Sequence, residues 1–317
     1  MSEDSVDRCR FRPPETTRVL IWEVIEYCNL QCLHCCTNSG PTLPRKSPVS
    51  TGVAVDLVRA LPDVGVSHIV FSGGEPFFRD DFVQILEAAD PTRLDMFVNT
   101  NGYLVNQAVA RRVAAAGLRR LTISLDGHNA QLHNEIRRHP KSFDRAVQAV
   151  RQCVAAGVPV RVSGVITPGL VEHVGEWVEL VYSLGARVAV LNTMFPVGRG
   201  ASHPQLVVAP SRDLIARLDS LRVEYARSGF DLDFGLDGRE SPAPTTCTAG
   251  YNILHLTATG DVSGCSWLYK LDPGRFTLGN VTRSSIADIL VRVPEVTDPL
   301  VADGPGCPLS RVPAAAR

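Results

Sequence analysis

From about Val19 to Leu191 the chain alternates short apolar runs with amphipathic stretches. The runs are Val19–Glu23, His68–Phe71, Leu94–Asn99, Leu121–Leu125, Val158–Ile166 and Val188–Leu191. Each is short and aliphatic or β-branched, as a strand buried on both faces requires. Helical periodicity fills the gaps: Gly52–Ala60, Phe82–Ala89, Val105–Ala116, Phe143–Ala156 and Val171–Leu184. Gly65, Pro91, Gly117, Gly157 and Gly185 punctuate the junctions. Six strands with five intervening helices predict a parallel α/β domain. The pattern leaves open whether the sheet curls like a barrel or lies open and doubly wound.

After Leu191 the pattern changes. Asn192–Pro210 is rich in Gly and Pro and reads as a linker, followed by an amphipathic helix over Ser211–Arg227. Beyond the loop Ser241–Thr246, the segments Asn252–Ala258 and Asp261–Cys265 flank a Thr-Gly turn and predict a β-hairpin. Pro294–Arg317 is Pro-rich with little periodicity. These shifts place a boundary near residue 205, giving a first domain over 18–205 and a second over 206–317.

Charge narrows the function. Lys and Arg number 32 and Asp and Glu 33, so the 317-residue chain carries a formal charge of -1. That balance offers no basic footprint for nucleic acid and no polybasic membrane patch. No apolar run reaches the ~18–20 residues of a membrane-spanning helix, and Met1–Pro14 lacks a signal peptide's apolar core. A cytoplasmic protein is expected. Nine cysteines in a reducing compartment then read as metal or redox ligands rather than disulfides.

Three of them, Cys28, Cys32 and Cys35, follow the first strand with the spacing C-x3-C-x2-C. Three thiolates on one loop can hold three corners of a metal site and leave the fourth open. A structural zinc asks for four ligands, usually as paired knuckles. The loop Cys28-Asn-Leu-Gln-Cys32-Leu-His-Cys35 resembles the cluster-binding loop of the radical S-adenosylmethionine (SAM) superfamily. The resemblance implies a [4Fe-4S] cluster on these three cysteines, with SAM on the fourth iron. It further implies cleavage of SAM to a 5′-deoxyadenosyl radical that abstracts a substrate hydrogen atom. The fold it implies is a partial (β/α)6 TIM-like barrel, which suits the six strands counted above.

Further motifs stand at the carboxyl ends of successive strands, where parallel α/β folds bind ligands. Gly73-Gly74-Glu75-Pro76 resembles the family's motif for the SAM ammonium. Glycines let a backbone approach a ligand closely, and a carboxylate pairs with an ammonium. Asn99-Thr100-Asn101-Gly102 and Ser124-Leu-Asp126-Gly127 resemble the segments that meet SAM's ribose or carboxylate, implying Thr100, Asn101, Ser124 and Asp126 as contacts. Arg137 resembles a recurrent carboxylate partner for SAM or substrate, and Ser163 lies in the segment that lines the adenine. His34 occupies a position whose backbone meets adenine in relatives.

A second constellation lies downstream. Cys247, Gly260 and Cys265 span the predicted hairpin, and Cys307 follows with 41 residues between it and Cys265. The pattern resembles the shorter, twitch form of the SPASM extension, a small C-terminal hairpin-containing domain. It implies a second, auxiliary [4Fe-4S] cluster on Cys247, Cys265 and Cys307. The fourth ligand is open; Arg199, in Met194-Phe-Pro-Val-Gly-Arg199, is one candidate. Cys36 is a candidate hydrogen-atom donor, as an epimerase requires.

Family members of this layout divide between small-molecule tailoring enzymes and maturases of ribosomally made peptides. Only 27 residues precede Cys28, too few for a fused leader-binding module. The expectation is therefore dehydrogenation or epimerisation of a small sugar, aminocyclitol or nucleoside in natural-product biosynthesis. The alternative is a peptide maturase working with a separate leader-binding partner; the non-enzymatic alternative is a zinc or iron–sulfur binding module. A flavodoxin- or ferredoxin-type electron donor is implied.

Overall fold

Each of the six apolar runs forms a strand: β1 (Arg18–Glu23), β2 (Val66–Ser72), β3 (Asp95–Thr100), β4 (Arg120–Ser124), β5 (Val160–Val165) and β6 (Val188–Asn192). These assignments come from a computed structural model, which describes residues 18–194, 196–234 and 247–302. The expected helices form as α1 (Thr51–Ala60), α2 (Phe82–Ala88), α3 (Gln107–Ala115), α5 (Ser142–Ala155), α6 (Val174–Ser183) and α7 (Arg212–Ala226). Between β4 and β5 lies an additional helix, α4 (Ala130–Arg137). The side chain of Asn129 caps it by accepting from Leu132 N. Ser50, Asn106 and Ser211 start α1, α3 and α7 in the same way.

The described residues fall into two compact units that the chain visits alternately. One holds residues 27–43, 97–194 and 196–234; the other holds 18–26, 44–96 and 247–302. In the first unit β4, β5 and β6 run parallel, with β3 beside β4. A further strand, β7 (Asp231–Phe234), pairs parallel with β6. In the second unit β1 pairs parallel with β2 and, on its other edge, with β8 (Ile253–Leu256). β8 forms the expected hairpin with β9 (Asp261–Ser263), and β10 (Thr277–Asn280) adds antiparallel to β9. Helices α8 (Ser266–Leu271), α9 (Ile286–Leu290) and α10 (Val293–Ala302) follow.

Strand alternation sorts the side chains. On β1, Leu20 and Trp22 are fully buried while Ile21 and Glu23 are half-buried. Trp22 meets Phe71 of β2 at 5.8 Å, and Phe71 meets Phe82 of α2 edge-on at 5.4 Å. This aromatic stack anchors the second unit, each fully buried ring contributing roughly 1.5–3 kcal/mol. In the first unit, Trp177 of α6 is buried and its Nε1 donates to the carbonyl of Leu125 at 2.8 Å. That bond ties α6 to the end of β4, where the candidate residues stand.

Candidate active site

In the first unit, the loop after β1 brings three thiols together. Cys28 and Cys32 are buried around Leu30, and half-buried Cys35 packs against them; none of the three is in a disulfide. Donors surround the sulfurs. Leu30 N lies 3.4 Å and Asn101 Nδ2 3.7 Å from Cys28 Sγ. Arg137 Nη1 lies 3.8 Å from Cys32 Sγ, and the Thr37 hydroxyl 3.4 Å from Cys35 Sγ. Such donors favour thiolate over thiol and orient the ligands of a metal centre. Burial pushes the Cys32 thiol up against the pull of Arg137, so a metal binding there displaces a proton. Among the described residues, no three His, Cys, Asp or Glu side chains converge on one ion. Three cysteines close together on one loop, each with a polar neighbour near its sulfur, are three protein ligands that leave one corner open. This donor set fits a [4Fe-4S] cluster.

Asp126 holds the loop to the sheet. Its Oδ2 accepts from Arg137 Nε at 2.5 Å and lies 2.7 Å from His34 Nε2; its Oδ1 accepts from Val165 N at 3.0 Å. Burial pushes the carboxyl up, but Arg137 and His34 outweigh it and hold it well below the usual carboxylate range. His133 Nδ1 accepts from Asp126 N at 3.0 Å. Burial, with the Arg137 charge beside it, pushes His133 down to about 3, so it stays neutral. Both Asp126 oxygens are therefore engaged inside the protein, and Arg137 spans Asp126 and Cys32. The sequence pointed to both as ligand contacts; in the structure they bond to each other and, through His34 and Cys32, to the cysteine loop.

Thr100 and Asn101 also make local bonds. The Thr100 hydroxyl accepts from Gly102 N, and Asn101 Oδ1 accepts from Tyr103 N. Asn101 Nδ2 donates to Asn29 Oδ1 at 2.9 Å. Ser124, the last residue of β4, sits in register with Ser163 of β5, two residues before that strand ends; both are half-buried. Asn192 Nδ2 donates to the Ser163 hydroxyl at 3.1 Å. Asn192 ends β6, one residue past the apolar run, and was not anticipated; a polar residue closing a strand is its only signal in the sequence.

The other unit holds the glycine motif. Gly73 has φ +114, and a Cβ there would lie 2.6 Å from Ile25 O and 3.0 Å from Glu23 Cα. Gly74 N donates to Ile25 O at 2.7 Å. The glycine is thus demanded by the close approach of the chain leaving β1, beyond any approach of a ligand. Glu75 is buried and caps the short 3-10 turn Pro76–Phe78 by accepting from Phe77 N. In the same unit Cys247 and Cys265 pack on one apolar cluster, Ala249, Leu268 and Phe276. Cys307 lies outside the described residues. Cys36 is exposed, and Cys153 is buried with its thiol pushed up to about 12 by burial.

Arg199, one candidate for the open fourth ligand of the second cluster, has its guanidinium on the cysteine loop. Its guanidinium donates to the carbonyls of Cys32, Asn38 and Ser39.

Residues 22–182 match the profile of the Radical SAM superfamily. The chain is 32% identical over 282 residues to the AdoMet-dependent heme synthase of Oleidesulfovibrio alaskensis, covering 81% of this chain and 71% of that protein. It is 35% identical over 270 residues to the Mycofactocin maturase MftC of Mycobacterium tuberculosis, covering 83% and 67%. Among solved structures it resembles Streptococcus suis SuiB bound to S-adenosylmethionine, with TM-score 0.70, 18% identity, and 91% and 68% coverage. SuiB bound to precursor peptide SuiA gives TM-score 0.67, 16% identity, and 94% and 68% coverage. The chain belongs to the radical SAM superfamily. The fold is the expected α/β partial barrel, and the cofactors of the family are a [4Fe-4S] cluster and SAM. Among the described residues no helix is long and apolar enough to cross a membrane.

Proposed function

We propose that this radical SAM enzyme is a maturase acting on a ribosomally made precursor peptide. The carrying observation is the 35% identity to a maturase over 83% of the chain. It shifts the reading from the sugar, aminocyclitol or nucleoside substrate expected from the sequence towards the peptide alternative. In our reading Cys28, Cys32 and Cys35 hold the cluster, and Gly73, Gly74 and Glu75 receive the methionine end of SAM. Ser124 and Ser163, paired across β4 and β5, offer hydroxyls for the rest of the nucleoside. When bound, the cluster and SAM supply an electron and a 5′-deoxyadenosyl radical that takes a hydrogen atom from the substrate. Asp126, Arg137 and Asn101 orient the loop and place donors at its sulfurs.

The segment 206–317 supplies the second cluster in this reading, through Cys247, Cys265 and Cys307. The shared apolar bed of Cys247 and Cys265 supports it. Such a cluster is a one-electron acceptor, which favours an oxidative outcome. Epimerisation would instead use a thiol such as Cys36 to return a hydrogen atom. Solvent deuterium in the product separates the two, appearing at the substrate carbon only for epimerisation. A flavodoxin or ferredoxin supplies the reducing electron in the cell.

The 32% identity to a heme synthase favours a second reading, an iron porphyrin substrate. The test is anaerobic incubation of reconstituted enzyme, SAM and dithionite with each short peptide whose gene neighbours that of the enzyme, or with an iron porphyrin. A change of peptide mass matched by 5′-deoxyadenosine is expected. Turnover of the porphyrin with an unchanged peptide would overturn the maturase reading.

A further inference from the structure

The segment after β6 was expected to be a linker, yet it grips the cluster loop. Arg199 Nη1 donates to Cys32 O at 3.0 Å, and Nη2 to Ser39 O at 2.8 Å and Asn38 O at 3.3 Å. The backbone adds to this: Arg199 N donates to Cys35 O at 2.9 Å, and Gly200 N reaches the same oxygen at 3.4 Å. Four carbonyls of one loop, at Cys32, Cys35, Asn38 and Ser39, thus turn towards a single residue. Carbonyls crowded together repel unless a donor with several N–H groups sits among them, and a guanidinium presents five in a fixed fork. The approach is close. Gly198 has φ +59, and a Cβ on it would fall 2.7 Å from both Cys35 O and Cys36 O. Only glycine lets the chain press against the loop here while holding that φ. The loop is closed at its own base, where Cys28 N donates to Gly40 O at 3.3 Å. Arg199 therefore fixes the far side of a loop whose near side is already tied.

We propose that Gly198 and Arg199 form a clamp that positions Cys32 and Cys35 for the cluster, with Arg199 as the positioning residue. The proposal rests on the cluster assignment, which Cys28, Cys32 and Cys35 carry independently of Arg199. Its chemistry is indirect: holding the carbonyls of Cys32 and Cys35 sets where their sulfurs point, and the guanidinium adds a fixed positive charge beside the loop. Such outer supports tune both retention and electronic structure of a metal centre.

The test uses the full chain, reconstituted anaerobically, with R199M, R199K and G198A. Three quantities are read: iron released to EDTA over time, the EPR signal of the reduced cluster with and without SAM, and amide exchange of residues 32–40 before reconstitution. R199M is expected to take up iron but lose it at least about tenfold faster, as typical for a lost outer-shell partner. Its SAM-induced EPR change should shrink, and amides 32–40 should exchange faster. R199K should fall between R199M and the parent, since an ammonium keeps the charge but serves fewer carbonyls. Parent-like EDTA kinetics and SAM-induced EPR change in R199M would overturn the proposal, as would R199K no better than R199M. Should R199M not be recovered folded, G198A decides: it keeps the guanidinium but forces the segment off the loop. A G198A protein with the parent's EPR response to SAM would overturn the clamp. Loss of iron uptake in C32A but not in R199M keeps the cluster assignment separate from this one.

Discussion

Asp126 and Glu75 are both buried carboxylates beside motifs, yet their surroundings set different roles. Asp126 has Arg137 and His34 on one oxygen and Val165 N on the other, so it serves the protein itself. Breaking such a buried pair from one side costs about 3–5 kcal/mol. Asp126→Asn keeps the shape and loses the charge, so about 3 kcal/mol of stability is expected to go at neutral pH, read by urea unfolding of the cluster-free protein. The folded carboxyl lies well below its unfolded value, so its stabilisation is complete above the ordinary carboxylate pKa and is lost as pH falls below it. The gap between parent and D126N should therefore narrow below about pH 4; a constant gap would contradict the ion-pair account. Glu75 accepts from Phe77 N within its turn, and in the proposed SAM site its carboxylate pairs with an ammonium. Glu75→Ala should weaken SAM binding at least about tenfold, the order of one charged hydrogen bond, with iron content unchanged. Calorimetry on the reconstituted protein reads this directly, and unchanged affinity would remove Glu75 from the SAM site. The cysteine spacing and the glycine motif were visible in the sequence because they are local. The partnership of Asp126 with His34 joins residues 92 apart in the chain, and no spacing rule reveals it.

At the scale of elements, the six strands were legible because buried parallel strands must be short, apolar and bounded by turns. α4 was not, because Ala130–Arg137 carries mostly polar residues and shows itself only through its Asn129 cap. α10 was hidden by Pro294 and Pro299, and β7 and β10 by their four-residue length. The linker expected over Asn192–Pro210 holds Asn192 at the end of β6 and the Arg199 contacts, functions that a Gly- and Pro-rich composition conceals. The junction of β1 and β2 carries a prediction of its own. Gly73 lets the chain cross against Glu23 and Ile25, with 2.6 Å left for a Cβ. Gly73→Ala should cost about 2 kcal/mol from its backbone strain alone and should also weaken SAM binding by displacing Gly74 and Glu75. Thermal unfolding and SAM titration check the two effects, and an unaltered protein would contradict the close approach.

For the whole molecule, the family is established by the Radical SAM match and by relatives over four-fifths of the chain. The similarity to a maturase moves the proposed substrate from small molecule to peptide, a distinction that strand and cysteine patterns do not carry. Substrate choice depends on side chains scattered over loops, whereas the cluster and SAM depend on contiguous motifs. The proposed enzyme carries two clusters, one on the loop after β1 and one held through Cys247 and Cys265. Iron and acid-labile sulfide per chain after anaerobic reconstitution test this most directly. About eight of each is predicted, falling to about four in the C247A/C265A variant. About four of each in the parent, unchanged by that double substitution, would contradict the second cluster and leave the electron acceptor of the proposed chemistry without a place in this chain.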